Sequence, residues 1–100
     1  MRIIEINGNN FNSLHGFFDE IEICLRDGKC PQTRTIASLR KTVSSCFNYT
    51  DRKSLNVSVI IWRNFIKSKI DLTKTKSGSV IMSALEKILS ANPRIKFIKQ

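Results

Sequence analysis

The stretch Leu55–Trp62 reads LNVSVIIW and carries the strongest strand signal in the chain. β-Branched residues dominate it, and such side chains favour an extended, pleated backbone over a helix. The polar run Asn48–Ser54 precedes this stretch, and the stretch itself contains neither glycine nor proline. These features are typical of a central strand in a sheet, so the other elements can be assigned outward from this one.

After this strand, the sequence predicts a short helix, a lysine-rich loop at Thr73–Ser77, a long helix and a last strand. Asn92-Pro93 ends the long helix, because proline disfavours the helical conformation in the residue before it. The residues that indicate these elements are Phe65, Ile66 and Ile70 for the short helix, Ser79, Val80, Ile81, Leu85, Ile88 and Leu89 for the long helix, and Ile95, Phe97 and Ile98 for the strand.

Before the central strand, the pattern predicts a short first strand that ends at Asn7-Gly8, a helix over residues 13–26 and a second helix that begins near Ile36. Asn12-Ser13 can cap the first helix, Gly28 can end it, and Pro31 predicts an extended connection. The apolar residues behind these predictions are Ile3, Ile4 and Ile6, then Leu14, Phe17, Phe18, Ile21 and Leu25, then Ile36, Leu39, Val43 and Cys46 or Phe47.

The predicted order is therefore β, two helices, β, two helices, β. Strands separated by helices favour an α/β fold with a parallel sheet and right-handed crossovers, here of three strands with helices packed on it. A chain of 100 residues has room for one hydrophobic core. We therefore expect a single domain over residues 1–100.

The net charge of +9 is unevenly distributed. Residues 1–25 carry one base and four acids, whereas residues 26–100 carry sixteen bases and four acids. A positive field of this kind favours an anionic partner, which could be nucleic acid, an acidic lipid surface or an acidic patch on a protein. The longest uncharged apolar stretch, Val57–Trp62, is too short to span a bilayer, and we expect no membrane partner.

Cysteine and histidine usage argues against a metal centre and against nucleophilic catalysis. Cys24, Cys30 and Cys46 are odd in number and lack close spacing, which fits free thiols in the cytosol. His15 is the lone histidine, and we expect it at the surface rather than beside a nucleophile. Asp19, Glu20 and Glu22 are expected to form a solvated helix face, and the glycines lie singly, without a phosphate-binding loop. We predict no enzyme activity and no cofactor.

Nucleic-acid binding is the alternative that the charge leaves open. Stacking platforms are scarce, because patterning assigns five of the eight aromatic rings to the core and leaves Phe11, Phe47 and Tyr49 as candidate exposed rings. The second helix could also act as a recognition helix, although the predicted strands do not fit an all-helical module. The basic residues that could contact phosphates are Arg34, Arg40, Lys41, Arg52, Lys53, Lys67, Lys69, Lys74 and Lys76.

Two segments resemble the barstar family of intracellular ribonuclease inhibitors. One is Ile4–Gly8 (IEING) with Ser13–His15 (SLH), which is similar to the family's first strand, turn and start of helix one. The other is Val59–Phe65 (VIIWRNF) with Ser68-Lys69 and Ser79-Val80, which is similar to its second strand, the following segment and the last helix. The resemblance implies a cytosolic immunity protein that binds a nuclease toxin and covers its active site.

The chain departs from the family where the resemblance places the toxin-binding residues. The family uses acids and aromatics there, whereas Thr33–Arg40 reads TRTIASLR and keeps only the apolar positions. At the next position, where the resemblance predicts an acid, this chain has Lys41. Of the binding acids, Glu86 is kept. A cationic nuclease site would repel such a surface, because like charges across an interface are unfavourable.

Two accounts are compatible with this change of sign. The toxin's docking surface or catalytic groups could be acidic and pair with the basic residues. Alternatively, the protein binds away from the toxin's active site and blocks access of the substrate or of a required partner. Immunity proteins of contact-dependent growth-inhibition systems are similar in size and diversify in this way. We favour the first, and the predicted toxin-binding residues are Arg34, Ala37, Ser38, Arg40, Lys41, Ser45 and Glu86.

Overall fold

A computed structural model of the chain describes residues 2–25, 33–44 and 57–100. The protein has an α/β fold with a three-stranded parallel sheet, which confirms the predicted class. A single-turn 3-10 helix, Gly8–Asn10, follows the first strand and adds one element to the predicted order. The remaining described elements are β1 (Arg2–Asn7), α1 (Leu14–Cys24), α2 (Ile36–Thr42), β2 (Val57–Arg63), α3 (Phe65–Leu72), α4 (Gly78–Ser90) and β3 (Lys96–Lys99).

The strand order is β1-β2-β3, so β2 is central, as its sequence predicts. Ile4 pairs with Ile60, which pairs with Phe97, and Ile6 pairs with Trp62. Side chains alternate between the two faces of a strand, so these residues share the face that packs on the helices. The opposite face is more exposed: Ile3 is 54% exposed there, and the following residue on that side, Glu5, pairs with Arg63 at 3.0 Å.

Trp62 lies at the centre of the aromatic core. Its ring stacks on Phe17 at 5.1 Å between centroids and meets Phe65 edge-on at 5.2 Å. The prediction that Phe11 is an exposed ring was wrong. Phe11 is 6% exposed, because the chain beyond the 3-10 helix places it 5.6 Å from Phe17 and 6.3 Å from Trp62. Phe47 and Tyr49 lie outside the described residues.

The first helices begin where side chains can cap them. Ser13 accepts a hydrogen bond from the Gly16 N–H at 3.1 Å, which confirms the predicted start of α1. Thr35 and Ser38 form a reciprocal capping box at the start of α2. The helix α1 ends at Cys24 rather than residue 26. Outside the described residues lie the predicted stop and connection at Gly28 and Pro31, the positions Cys46 and Phe47 of the second helix, and the loop 48–54.

The helix α3 forms where predicted, but its buried side differs from the expected one. Phe65, Ser68 and Leu72 are buried, whereas Ile66 and Ile70 are 66% and 57% exposed. Ser68 belongs in the core because its hydroxyl accepts a hydrogen bond from the Trp62 indole at 3.0 Å. A polar residue with a buried partner therefore takes the place that an apolar pattern assigns to isoleucine.

The long helix α4 packs Met82, Leu85, Ile88 and Leu89 into the core and ends at Ser90, just before the predicted stop. The next residues lead into β3, the last strand of the predicted order. Across the described ranges, every helix is too short or too polar to cross a membrane.

Candidate protein-binding site

The helix α2 presents a short basic surface. Leu39 and Thr42 are buried, and Thr42 shares a 2.9 Å hydroxyl–hydroxyl hydrogen bond with Thr33. Ala37, Arg40 and Lys41 are exposed on the outer side. The spacing of the buried residues thus positions three of the predicted toxin-binding residues at the surface.

Arg34 faces α1 and does not extend from the basic surface. Its guanidinium donates to Asp19 at 2.6 Å and to Glu22 at 3.3 Å, and it contacts the exposed ring of His15 at 3.0 Å. The hydrogen bond from Arg34 lowers the pKa of Asp19, and the same bond raises the pKa of Arg34. Arg34 therefore ties the segment before α2 to α1.

Ser38 also has a structural role. Its hydroxyl accepts hydrogen bonds from the N–H groups of Arg34 and Thr35 at 3.0 and 2.9 Å and donates to the Thr35 carbonyl at 2.9 Å. The bond from Thr35, the N-cap residue, satisfies a backbone N–H that a helix start leaves without an intrahelical partner. Ser38 thus stabilises the start of α2, and it has little capacity left for an intermolecular contact.

Beside Arg40, a groove of about 880 Å³ is lined by residues of α2, the two residues after it, and α4. Most of its lining is small or apolar, and its charged members are Arg40 from α2 and Lys87 from α4. Val80 is 71% exposed, the highest fraction among the large hydrophobic residues of the described ranges. The lining residues are Arg40, Val43, Ser44, Ser79, Val80, Ser83, Ala84, Lys87, Ile88, Ala91 and Asn92.

The two cations of the groove are not neutralised by acids of the described ranges. Neither Arg40 nor Lys87 makes an ion pair with a residue that the structure describes, and the acids of those ranges are engaged elsewhere. Those acids bind as follows: Glu5 to Arg63, Asp19 and Glu22 to Arg34, Glu20 to Asn7 and Asn10, Asp71 to Lys67 and Lys74, and Glu86 to Lys99.

Glu86 does not lie on the basic surface of α2. Its carboxylate pairs with Lys99 of β3 at 3.2 Å, and it does not contribute to the groove lining. Ser45 lies outside the described residues. The structure thus places Ala37, Arg40 and Lys41 on one surface, turns Arg34 and Ser38 to internal contacts, and puts Glu86 on another side of α4.

The sequence prediction missed the α4 side of the groove. Ser79, Ser83, Lys87 and Ala91 recur at four-residue steps, and Val80, Ala84 and Ile88 form the neighbouring row. Residues at this spacing share one side of a helix. The spacing would have identified a continuous strip of mostly small side chains, but only the tertiary structure shows that this strip faces α2 across a groove.

A scan against protein-family models and a search of curated proteins both found no match for this sequence. The resemblance to the barstar family therefore stays a prediction that depends on the quoted residues. Among the residues that the structure describes, no group of three or more His, Cys, Asp or Glu side chains lies where it could hold a metal ion.

Proposed function

We propose that this protein is an immunity protein, an inhibitor that binds and neutralises a cognate bacterial toxin, with a nuclease as the expected toxin. The observation that carries the proposal is the α2–α4 groove, which combines a mostly small or apolar lining with Arg40 and Lys87, two cations that pair with no acid of the described residues. Exposed apolar area bordered by polar and charged side chains is typical of a protein-docking surface.

The arrangement of helices and strands supports the same proposal. The parallel sheet and the order of its helices are those expected from the barstar-like segments. Arg40 and Lys41 extend from α2, the helix on which the resemblance places the toxin-binding residues. We therefore propose that the toxin presents an acidic surface to α2, opposite in sign to the surface that barstar-like inhibitors recognise.

The groove supports a protein partner better than a nucleic-acid partner. Binding of single-stranded nucleic acid uses exposed rings on which bases stack, and Phe11, a candidate ring, is buried in the core. The described lining of the groove is mostly aliphatic or small, with Arg40 and Lys87 as its charged members. Such a lining suits apolar side chains, and none of its described residues has an aromatic ring on which a base could stack.

Co-expression tests the proposal directly. The toxin candidate is the C-terminal domain of the protein encoded immediately upstream, produced in a bacterial host from an inducible promoter. We expect the inhibitor to restore growth and to form a one-to-one complex measurable by calorimetry and light scattering. Failure to bind and to restore growth would contradict the proposal.

Charge-reversed variants locate the interface. We expect Arg40→Glu with Lys41→Glu to weaken the complex at least tenfold, because two attractive contacts become repulsive. The matched control is Lys69→Glu with Lys76→Glu, which reverses two exposed cations on and after α3 and should leave affinity within twofold. Equal losses in both variants would indicate a general field effect. Binding of arbitrary RNA with a steep salt dependence would instead favour the nucleic-acid alternative.

A further inference from the structure

We propose that the α2–α4 groove takes an amphipathic α-helix of the toxin, with apolar side chains in the groove and carboxylates beside Arg40 and Lys87. This inference rests on the proposed function and specifies the partner's chemistry. It follows from the length of the groove, the size of its side chains and its charge.

The length of the groove suits a helix. Its lining begins at Ser79 in the first turn of α4 and continues to Ala91, the C-cap residue, and to Asn92 beyond the helix. At 1.5 Å per residue, the 13 residues from Ser79 to Ala91 correspond to about 20 Å. A partner helix of about 13 residues has the same length. The floor and sides are formed by α2 and α4, and a groove between two helices is a common binding place for an amphipathic helix.

The side chains of α4 allow a third helix to approach closely. One row consists of Ser79, Ser83, Lys87 and Ala91, and three of its four members are small. The next row, Val80, Ala84 and Ile88, provides aliphatic contacts. Rows at four-residue spacing form the ridges that interlock when helices pack. Because Val80 is 71% exposed at one end, a partner side chain could bury it.

The charge of the groove selects an acidic helix. Arg40 and Lys87 come from opposite walls, and neither pairs with an acid of the described ranges. A helix with lysines beside its apolar side would add like charge and would be rejected. A helix with Asp or Glu in those places gains two ion pairs, partly shielded from water by the apolar contacts around them.

A peptide library tests the inference without the toxin. A displayed library of 16-residue helices, with randomised positions on one side, is selected against the full-length protein. We expect enriched peptides to carry Leu, Ile or Phe at three- and four-residue steps with flanking Asp or Glu. Lysine in place of those acids should weaken binding at least tenfold. No enrichment, or enrichment without an acidic preference, would overturn the inference.

Groove variants show where the peptides bind. Ala84→Trp fills the groove and Lys87→Glu reverses its charge, so each should weaken the selected peptides at least tenfold. The matched controls are Ser90→Trp and Lys76→Glu, which change exposed residues outside the groove lining. Circular dichroism and thermal unfolding verify that all four variants fold. Peptide binding that is insensitive to Ala84→Trp would refute the location.

The two proposals can fail separately. If the toxin binds and Ala84→Trp leaves its affinity unchanged, the groove inference is wrong and the inhibitor function stands. If acidic helices bind the groove but no toxin is bound or neutralised, the inhibitor function is wrong and the groove specificity stands. Anionic vesicles or a short RNA that bind with the same sensitivity to Ala84→Trp would identify another occupant and overturn the inference.

Discussion

The buried hydroxyl of Ser68 accepts a hydrogen bond at 3.0 Å from the indole N–H of Trp62, at the centre of the core. Ser68→Ala leaves that N–H without a partner and away from water, which costs about 1–3 kcal/mol in unfolding free energy. Urea unfolding followed by tryptophan fluorescence measures the loss. Ser83→Ala makes the same chemical change at an exposed position and should stay within about 0.5 kcal/mol of the parent. Similar losses in both variants would contradict this role for Ser68.

The ion pair between Asp19 and Arg34 makes the unfolding free energy depend on pH in the acidic range. Its hydrogen bond holds the pKa of Asp19 below the ordinary value of 3.8, so the folded state binds this proton less readily than the unfolded chain does. The stabilisation is complete above pH 3.8 and is lost as the pH falls through the lowered pKa. Asp19→Asn should therefore be less stable than the parent at pH 7, and the difference should shrink in strong acid. A difference that is independent of pH would rule out this linkage.

Glu20 holds the turn after β1 in place. The expectation that Glu20 lies on a solvated helix face was wrong: its carboxylate is buried and accepts from the Asn7 N–H at 2.9 Å and from the Asn10 amide at 3.1 Å. Glu20→Ala leaves both donors without this partner, and we expect a loss of about 1–3 kcal/mol in unfolding free energy. Glu20→Gln keeps one accepting oxygen and should recover part of that loss. Chemical denaturation of the three proteins compares them, and an alanine variant as stable as the parent would disprove the role.

Lys67 joins α3 to the same turn. Its ammonium donates to the carbonyls of Gly8 and Phe11 at 3.1 and 3.2 Å and pairs with Asp71 at 2.7 Å. We expect Lys67→Met to reduce the unfolding free energy by about 1 kcal/mol, because its hydrogen bonds are charge-assisted but partly exposed to solvent. Lys69→Met, two positions away and exposed, serves as the control. Hydrogen exchange should also increase over residues 8–11 in the first variant only.

The elements of the fold follow largely from local sequence, whereas several tertiary positions do not. The β-branched run of β2 and the capping residue Ser13 act within a few positions, so pattern and propensity identify them. Phe11 and Glu20 are buried because a 3-10 turn brings distant groups against them. Apolar periodicity predicts which side of a single element is buried, and it cannot predict contacts between that element and a turn elsewhere in the chain.

In the candidate site, too, features within one helix could be predicted, whereas contacts between helices could not. The exposure of Arg40 follows from its spacing relative to the buried Leu39 within one helix. Arg34 has the same chemistry, yet its partner Asp19 lies on another helix, 15 positions earlier. Only the tertiary structure shows that Arg34 is engaged by Asp19 and Glu22, whereas Arg40 pairs with no acid of the described residues. The α4 wall of the groove was missed for the same reason, since it is defined by a second helix.

The central position of β2 also governs the order in which the chain can assemble. Ile4 pairs with Ile60, so β1 cannot pair in this sheet until β2 has also been synthesised. Pairings between such distant positions form slowly. Until then, the apolar side of β1 has no strand to accompany it, and a fragment that ends before residue 57 lacks its partner altogether. We expect such fragments to aggregate or to be degraded.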